Sequence, residues 1–112
     1  MERPKVLIVD DDKMMLKHYK SFAELCSNEY EMVVLSSVEQ AETLNGRAFD
    51  VAILDGLYGK CFELIDGINA ERRVILTGDN AIYEKAKSQG IETYLKGEIS
   101  VNDILKNKQK DN

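Results

Sequence analysis

The sequence predicts an α/β fold in which a doubly wound, five-stranded parallel sheet is covered by helices on both faces. Two observations predict it: short apolar runs rich in β-branched residues recur along the chain, and segments with helical spacing separate them. Each run is too brief for a typical helix and has the composition of a strand. Because parallel strands need crossover connections, usually right-handed helices, this alternation favours one sheet between two helical layers.

Five segments are predicted strands. Four lie at residues 6–9, 32–35, 51–54 and 74–76, and we expect them to be buried on both faces of the sheet. The fifth lies at residues 92–96, just after Gly90, and is less apolar. We therefore expect it at an edge of the sheet, with Tyr94 as its aromatic member.

Helical spacing marks the segment after the first strand. Met15, Tyr19, Phe22 and Cys26 recur at intervals of four, three and four residues, which places them on one stripe of a first helix. We expect this stripe to face the core. His18 lies on the polar side of the same helix, where solvent exposure is expected.

Capping signals mark the remaining helices. A capping-box pattern at residues 37–40 begins a short second helix, and Gly46 supplies its left-handed end. Three further helices are predicted from Phe62, Ile65 and Ile68, from Ile82 and Ala86 before Gly90, and from Ser100 with Ile104 and Leu105.

Length and composition indicate a single domain. We expect one folded unit over residues 1–112, with a core from about 4 to 106 and a frayed C-terminal tail. The formal net charge of −5 leaves little cationic surface for phosphate backbones, so direct nucleic-acid binding is not expected. Lys106, Lys108 and Lys110 instead suit the negative end of a last helix.

The sequence predicts a cytoplasmic location. No apolar signal core follows the first residues, and no stretch approaches the ~20 apolar residues of a membrane span, so membrane insertion is not expected. Cys26 and Cys61 lack the close spacing of a zinc or redox pair. We expect both to be small buried hydrophobes in a reducing compartment.

Polar side chains follow the predicted strands. In open α/β sheets, ligands bind beyond the carboxyl ends of the strands, so these positions are the candidate site. The first strand is followed by three acids, the third by an acid and a glycine, the fourth ends in a hydroxyl and a glycine, and the fifth ends in a lysine. With the residues that directly follow the last two strands, these are Asp10, Asp11, Asp12, Asp55, Gly56, Thr77, Gly78, Asp79, Lys96 and Gly97.

Clustered carboxylates with a lysine and a hydroxyl suit Mg²⁺ and phosphate together. Mg²⁺ binds few protein carboxylates and completes its octahedron with water and phosphate oxygens. A carboxylate beside it can attack phosphorus to give an aspartyl phosphate, while the lysine and hydroxyl balance charge on the transferred oxygens.

Each of these residues also has a purely structural interpretation. Asp12 fits an N-cap of the first helix better than a ligand, and Asp10 and Asp11 would also favour the positive end of that helix. Asp55 could cap the following segment. Thr77 could be an ordinary turn residue, and Lys96 could be an exposed cation at the end of a strand.

Four segments together resemble the signature regions of response regulator receiver domains. They read VLIVDDD at 6–12, VAILD at 51–55, VILTG at 74–78 and TYLKG at 93–97, and they span nearly the whole chain in the expected order. The resemblance implies a flavodoxin-like sheet with strand order 2-1-3-4-5.

The resemblance also implies a role for each site residue. Asp55 would accept a phosphoryl group from a phosphohistidine. Asp11 would bind Mg²⁺, Asp10 would hold its water shell, and Leu57 would contribute its backbone carbonyl. Phosphoryl oxygens would be bound by Thr77 and Lys96, with Gly78 leaving access.

The implied partners are a sensor histidine kinase or a phosphotransfer protein, and a downstream protein effector. The chain would be a signalling switch and not an enzyme, apart from self-phosphorylation from a phosphodonor and self-dephosphorylation. Phosphorylation would shift Thr77 and the surface between the fourth helix and the fifth strand.

Three departures from the receiver pattern bear on these roles. The segment at 56–61 lacks the usual proline and later acid–glycine pair, so the loop looks shortened. Gly97 replaces the proline whose cis bond aims the lysine in many relatives, so the direction of Lys96 must arise otherwise or include an uncommon non-proline cis bond. Tyr94 lies two residues before Lys96, whereas the switch aromatic usually lies three before, where Thr93 stands. Tyr94 is therefore only a provisional switch residue, and packing at the sheet edge is the alternative.

The sequence is also compatible with two other functions. A degenerate receiver would keep the fold as a phosphorylation-independent interaction module. A phosphohydrolase of the haloacid-dehalogenase type would share the strand-end Asp, Thr and Lys. Such an enzyme needs a second acid two residues beyond its nucleophile, where this chain has Leu57.

Overall fold

The strands form one parallel sheet in the order β2-β1-β3-β4-β5 in the computed structural model, which describes residues 2–107. The predicted fold class and strand order are therefore confirmed. The strands are β1 (Lys5–Val9), β2 (Glu31–Leu35), β3 (Phe49–Leu54), β4 (Ala70–Thr77) and β5 (Glu92–Leu95).

The two edge strands differ in how well their burial was predicted. β5 lies at one edge, as expected, and β2 lies at the other. The prediction that residues 32–35 are buried on both faces is wrong, because every residue of β2 is only half-buried. An edge strand lacks a neighbour on one side, so its aliphatic side chains are only partly covered.

Five helices connect and follow the strands, as predicted. They are α1 (Lys13–Leu25), α2 (Val38–Glu42), α3 (Cys61–Gly67), α4 (Asn80–Ser88) and α5 (Val101–Lys106). A short 3₁₀ turn at Leu57–Gly59 precedes α3. Lys106 lies in the last turn of α5, whereas the predicted tail with Lys108 and Lys110 lies outside the described residues. Within residues 2–107, no helix has the length and apolar character needed to cross a bilayer.

Alternating strand side chains divide the core into two layers. Leu7 and Ile75 belong to the layer that packs against α2, α3 and α4. Val6, Ile8 and Leu76 belong to the layer that packs against α1 and α5. Each strand therefore presents one set of side chains to each helical layer, as a doubly wound sheet requires.

The predicted core stripe of α1 is only partly buried. Tyr19 is fully buried, while Met15 and Phe22 are half-buried at the edge of its cluster. Cys26 is the C-cap of the helix and is half-buried, so the expectation that it is a buried hydrophobe is wrong. Cys61 is buried, as expected, and His18 is exposed, as expected.

Side-chain caps begin α1, α2 and α4. Asp12 Oδ1 accepts hydrogen bonds from the backbone N–H groups of the first turn of α1, which confirms its predicted capping role. Ser37 Oγ accepts from the N–H of Gln40, but the Gln40 side chain accepts from Ser36, one residue before the cap. The predicted capping box is thus half formed. Asp79 caps α4 through two backbone N–H groups.

Candidate functional site

Backbone hydrogen bonds continue beyond the carboxyl ends of the strands and align the candidate residues. The N–H of Asp10 donates to the carbonyl of Leu35, and the N–H of Asp55 donates to the carbonyl of Val9 at 2.8 Å. Across the sheet, the N–H of Lys96 donates to the carbonyl of Thr77 at 2.9 Å. The sheet therefore carries these residues to one common edge, as predicted from the strand ends.

Lys96 joins two acids at this edge. Its Nζ lies 2.7 Å from Asp55 Oδ1 and 2.9 Å from Asp10 Oδ2. Burial by itself would lower the pKa of Lys96, but the hydrogen bonds that its ammonium group donates to Asp55 and Asp10 outweigh burial and raise the pKa above its ordinary value. The ammonium group is therefore charged at any physiological pH and holds the two carboxylates together.

Asp10 forms the floor of the acidic cluster. Only 1% of its surface is exposed, and burial raises its pKa against the lowering effect of its hydrogen bonds from Asp12 N–H and Lys96. Both of its oxygens have partners, because Oδ1 accepts from the N–H of Asp12 at 2.9 Å and Oδ2 accepts from Lys96. Asp10 is consequently held in one orientation.

Asp11 and Asp55 complete a cluster of three carboxylates with Asp10. One oxygen from each acid lies within 4.8 Å of the others, with Asp11 exposed and Asp55 half-buried. Three carboxylates against the single ammonium of Lys96 leave two negative charges at one point. A hard divalent cation with oxygen ligands, such as Mg²⁺, fits both this charge and this donor set.

An open cavity of about 370 Å³ lies above the cluster. It is lined by Asp11, Asp12, Asp55, Gly56, Leu57, Tyr58, Thr77, Gly78, Asp79, Ile82 and Lys96. Asp10 lies beneath this lining. The cavity is large enough for a phosphoryl group with its cation and water ligands.

Thr77 and Gly78, at the carboxyl end of β4, line the same cavity as Asp11 and Asp55. Thr77 is buried, and its Oγ1 accepts a hydrogen bond from the N–H of Asp79 at 3.1 Å. A side chain at Gly78 would meet only Lys96 Cδ, 4.0 Å away, so the glycine leaves the wall open. The hydroxyl proton of Thr77 is thereby available to an acceptor in the cavity.

The loop after Asp55 is tightly wound. Leu57 and Tyr58 have φ angles of 51° and 56°, a left-handed conformation that is unusual for non-glycine residues. The N–H of Leu57 donates to Asp55 Oδ2 at 3.3 Å, and its carbonyl accepts from the N–H of Lys60 at 3.1 Å. The carbonyl predicted to bind metal therefore has a partner within its own turn, and its metal-binding role stays a prediction.

The turn after Lys96 uses glycine in place of the usual proline. All peptide bonds within the described residues are trans, so a cis bond does not aim Lys96 here. Gly97 has a φ angle of 90°, which favours glycine strongly. The two hydrogen-bonded acids, together with this turn, set the direction of the lysine side chain.

Tyr94 lies on the face of the sheet that carries α1 and α5, opposite the face that carries α4. It pairs with Leu76, belongs to the layer against α1 and α5, and donates its hydroxyl to Glu92 Oε2 at 2.7 Å. Thr93 pairs with Ile75, on the face that carries α4, and is buried. The cavity lining above does not include Tyr94, and its environment favours the packing role over the switch role.

Comparisons with known proteins give matches only among solved structures. No protein-family model matches the sequence, and no curated protein matches it. A response regulator receiver domain from Methylobacillus flagellatus is 17% identical with a TM-score of 0.66, and the match covers 92% of this chain and 93% of that one. The Francisella response regulator 1452 receiver domain is 22% identical with a TM-score of 0.65, over 92% of this chain and 91% of that one.

A third match is a response regulator protein from Burkholderia pseudomallei. It is 22% identical with a TM-score of 0.66, and the match covers 91% of this chain and 64% of that one. This chain has the receiver-domain fold. In the receiver fold described here, the loops that follow β1, β3, β4 and β5 surround the acidic cavity.

The receiver fold also brings Tyr58 and Ile82 to the cavity, where the sequence did not predict them, and Ile82 lies beside Gly56, which the sequence did place at the strand ends. Gly56 and Ile82 both line it, and an added Cβ at Gly56 would lie 2.8 Å from Ile82 Cδ1. A glycine directly after a strand can signal close approach of another group, and Ile82 is the group that approaches Gly56 here. Ile82 carried no such signal, because its spacing is that of an ordinary core residue.

Proposed function

We propose that this chain is a phosphoacceptor receiver domain of a two-component or phosphorelay system, with Asp55 as the phosphorylated residue. The observation that carries the proposal is the contact of Lys96 with both Asp10 and Asp55 beneath an open acidic cavity. The donor would be a phosphohistidine on a sensor histidine kinase or phosphotransfer protein. The output would be a changed contact with a downstream protein.

Burial and position favour Asp55 over the neighbouring acids as the acceptor. Asp10 is buried beneath the cavity with both oxygens engaged, which leaves it poorly placed to attack an incoming group. Asp11 is exposed, and Asp12 caps α1. Asp55 lines the cavity, with Lys96 holding one carboxylate oxygen and only the long 3.3 Å bond from Leu57 N–H holding the other.

The transfer step balances without a separate general base. A carboxylate oxygen of Asp55 forms a bond to phosphorus as the nitrogen–phosphorus bond of the phosphohistidine breaks. The imidazole leaves with the electron pair of that bond. Lys96 and the hydroxyl of Thr77 would bind the equatorial oxygens, where charge accumulates, and Gly78 would leave room for them.

The three carboxylates would contribute to Mg²⁺ binding in two different ways. Asp11 and Asp55 would bind the ion directly, and Asp10, which is already engaged by Lys96, would orient its water ligands. The carbonyl of Leu57 would be a further ligand. When bound, Mg²⁺ would neutralise the phosphoryl oxygens and the acidic cluster.

Solved structures of the same fold are consistent with this chemistry. The Burkholderia pseudomallei response regulator has a phosphorylated aspartic acid and a calcium ion. We carry the acidic site and the aspartyl phosphate over to this chain as proposals. A single receiver domain over residues 1–112, located in the cytoplasm with the kinase domains that would phosphorylate it, completes the assignment.

A degenerate receiver is the second candidate function. The turn that engages the Leu57 carbonyl and the packing of Tyr94 away from the cavity are the observations that favour it. The retention of Asp10, Asp11, Asp55, Thr77 and Lys96 around one cavity favours phosphorylation instead. A haloacid-dehalogenase-type phosphohydrolase has less support, since buried Leu57 occupies the place of its second acid.

Intact mass spectrometry after incubation with acetyl phosphate and Mg²⁺ tests the proposal. We expect the wild type to gain one phosphoryl group and Asp55→Asn to gain none. Asp66→Asn, which changes an exposed acid on α3, is the matched control and should gain phosphate like the wild type. Equal uptake by Asp55→Asn and the wild type would refute the assigned acceptor, and no uptake by the wild type would favour a degenerate receiver.

A further inference from the structure

The absence of a side chain at Gly56 leaves a space that the side chains of Ile82 and Thr77 fill. Its backbone angles, φ −60° and ψ −29°, are ordinary for any residue, so conformation alone does not require glycine here. An added Cβ would nevertheless lie 2.8 Å from Ile82 Cδ1 and 2.8 Å from Thr77 Oγ1. Both distances are shorter than Cβ atoms tolerate. The absence of a side chain at Gly56 is therefore what permits this packing.

Ile82 brings the first turn of α4 onto the loop that contains the phosphoacceptor. Its backbone N–H is held by the N-cap Asp79 at 3.1 Å, and its side chain lines the same cavity as Asp55 and Thr77. The side chain is half-buried and packs against the layer under α3 and α4. The space between Gly56, Thr77 and the first turn of α4 is thus too small for even a methyl group.

The fifth strand packs against α4, but the side chains of Tyr94 and Thr93 do not join the cavity to that helix. Tyr94 lies on the opposite face, where Glu92 accepts its hydroxyl proton and Arg72 Nε donates to Glu92 at 2.8 Å. Thr93 faces α4, but its hydroxyl donates to the carbonyl of Ile91 at 2.8 Å. Neither side chain reaches from the cavity to the helix.

We propose that Gly56 and Ile82 are positioning residues through which a change at Asp55 is transmitted to α4. This inference rests on the proposed function and names how that site would be coupled to a surface. A movement of the Asp55 loop, or of the Thr77 hydroxyl toward a phosphoryl group, changes the space available to Ile82. Because Ile82 packs directly against this loop, such a change would shift its side chain and bias the position of the first turn of α4.

Amide spectra of the full chain, with and without Mg²⁺ and beryllofluoride, test this inference. The measured quantity is the shift of α4 signals at a beryllofluoride concentration that saturates each protein. In Gly56→Ala we expect that shift to fall about twofold or more below the wild-type value, because the new Cβ displaces Ile82 and Thr77. Ile82→Val removes the Cδ1 atom 2.8 Å from that Cβ but leaves Thr77 Oγ1 at 2.8 Å, so adding it to Gly56→Ala should restore part of the shift.

Gly67→Ala is the matched control, because a Cβ there meets nothing within 4 Å. It should respond like the wild type, and thermal unfolding of each variant verifies that it is folded.

An undiminished α4 shift in Gly56→Ala, or no recovery in the double variant, would overturn the inference. Phosphate uptake by the wild type without any α4 shift would overturn it while leaving the proposed function intact. No uptake would overturn both. If Gly56→Ala does not fold, the α4 shift of Ile82→Val alone is compared with that of the wild type.

Discussion

Lys96 Nζ lies 2.9 Å from Asp10 Oδ2, so a hydrogen-bonded ion pair connects the end of β5 with the end of β1. Two strands separate these elements in the sheet, and the same ammonium group also contacts Asp55 at the end of β3. The pair therefore spans the carboxyl edge. It holds a buried acid beside a second acid that would otherwise repel it.

Lys96→Ala should destabilise the protein in the absence of Mg²⁺. Removal of the ammonium leaves Asp10 buried without a counter-charge, which costs ~3–5 kcal/mol for fully buried pairs. Because the Lys96 side chain is 22% exposed, we expect a smaller loss of about 2 kcal/mol in the free energy of unfolding, measured by urea titration. Lys20→Ala, on the exposed side of α1, should change it little.

A double variant separates the cost of the unpaired Asp10 charge from the cost of the lost Lys96 packing. Asp10→Asn in the Lys96→Ala background removes the unpaired charge, so it should recover part of the lost stability. An unchanged stability in Lys96→Ala would show that the ion pair contributes nothing, contrary to its geometry.

Mg²⁺ should stabilise the unphosphorylated protein. Binding to the folded state alone at tenfold excess over the dissociation constant adds about 1.4 kcal/mol. We expect a higher melting temperature with Mg²⁺ than with a chelator, and no such rise in Asp11→Asn. Asp12→Asn is the matched comparison, because asparagine also caps helices. An equal loss of the Mg²⁺ effect in Asp12→Asn would move the ligand assignment to Asp12.

Thr77→Val should separate phosphorylation from its structural response. Valine keeps the shape of threonine but removes the acceptor for Asp79 N–H, at a cost of about 1 kcal/mol. It also removes the donor proposed for the phosphoryl group, so we expect smaller amide shifts with beryllofluoride at saturation. Thr77→Ser keeps the hydroxyl and should retain most of the response. If serine and valine variants respond alike, the hydroxyl has no part in it.

The pH dependence of stability should contain a contribution from Glu92. Burial by itself would raise its pKa, but hydrogen bonds from Arg72 and Tyr94 outweigh burial and lower it. The folded state therefore binds a proton less readily than the unfolded state. The stabilisation is present above the unfolded pKa and is lost as the pH falls through the lower folded pKa.

Glu92→Gln tests that contribution directly. Hydrogen bonds to charged groups contribute ~1.5–3 kcal/mol, so we expect the variant to be about 2 kcal/mol less stable than the wild type at pH 7. The difference should shrink as the pH is lowered from 5 to about 3. Urea unfolding across this range measures it, with the exposed Glu84→Gln as control. A difference that is constant with pH would exclude a charged Glu92 as its source.

The overall fold could be predicted because its determinants are local. Runs such as residues 51–54 are strands by composition, and the N-caps at Asp12 and Ser100 begin helices through side chains that lie beside the backbone they bind. Parallel topology then brings the strand ends to one edge. The candidate site could be named from Asp10, Asp55 and Lys96 because each follows a strand directly.

Contacts between residues that are distant in the sequence could not be predicted from local patterns. The burial of β2 depends on which strand lies at the edge, and the face of Tyr94 depends on its pairing with Leu76. The Leu57 carbonyl could be named as a ligand from its position, but only the turn of the loop directs it to Lys60 N–H. In each case the outcome depends on a contact with a residue that is not part of the local sequence pattern.

The sequence by itself determined the order of strands and helices, the alternation that requires a parallel sheet, and the identity of the polar residues at its carboxyl edge. Tertiary structure alone decided that Asp10 lies beneath the cavity, that Lys96 contacts two acids, and that Gly56 admits Ile82 and Thr77. The physical reason is the sequence distance over which each interaction acts. Propensity and capping act between neighbouring residues, whereas burial, ion pairing and close packing depend on which segments the completed fold brings together.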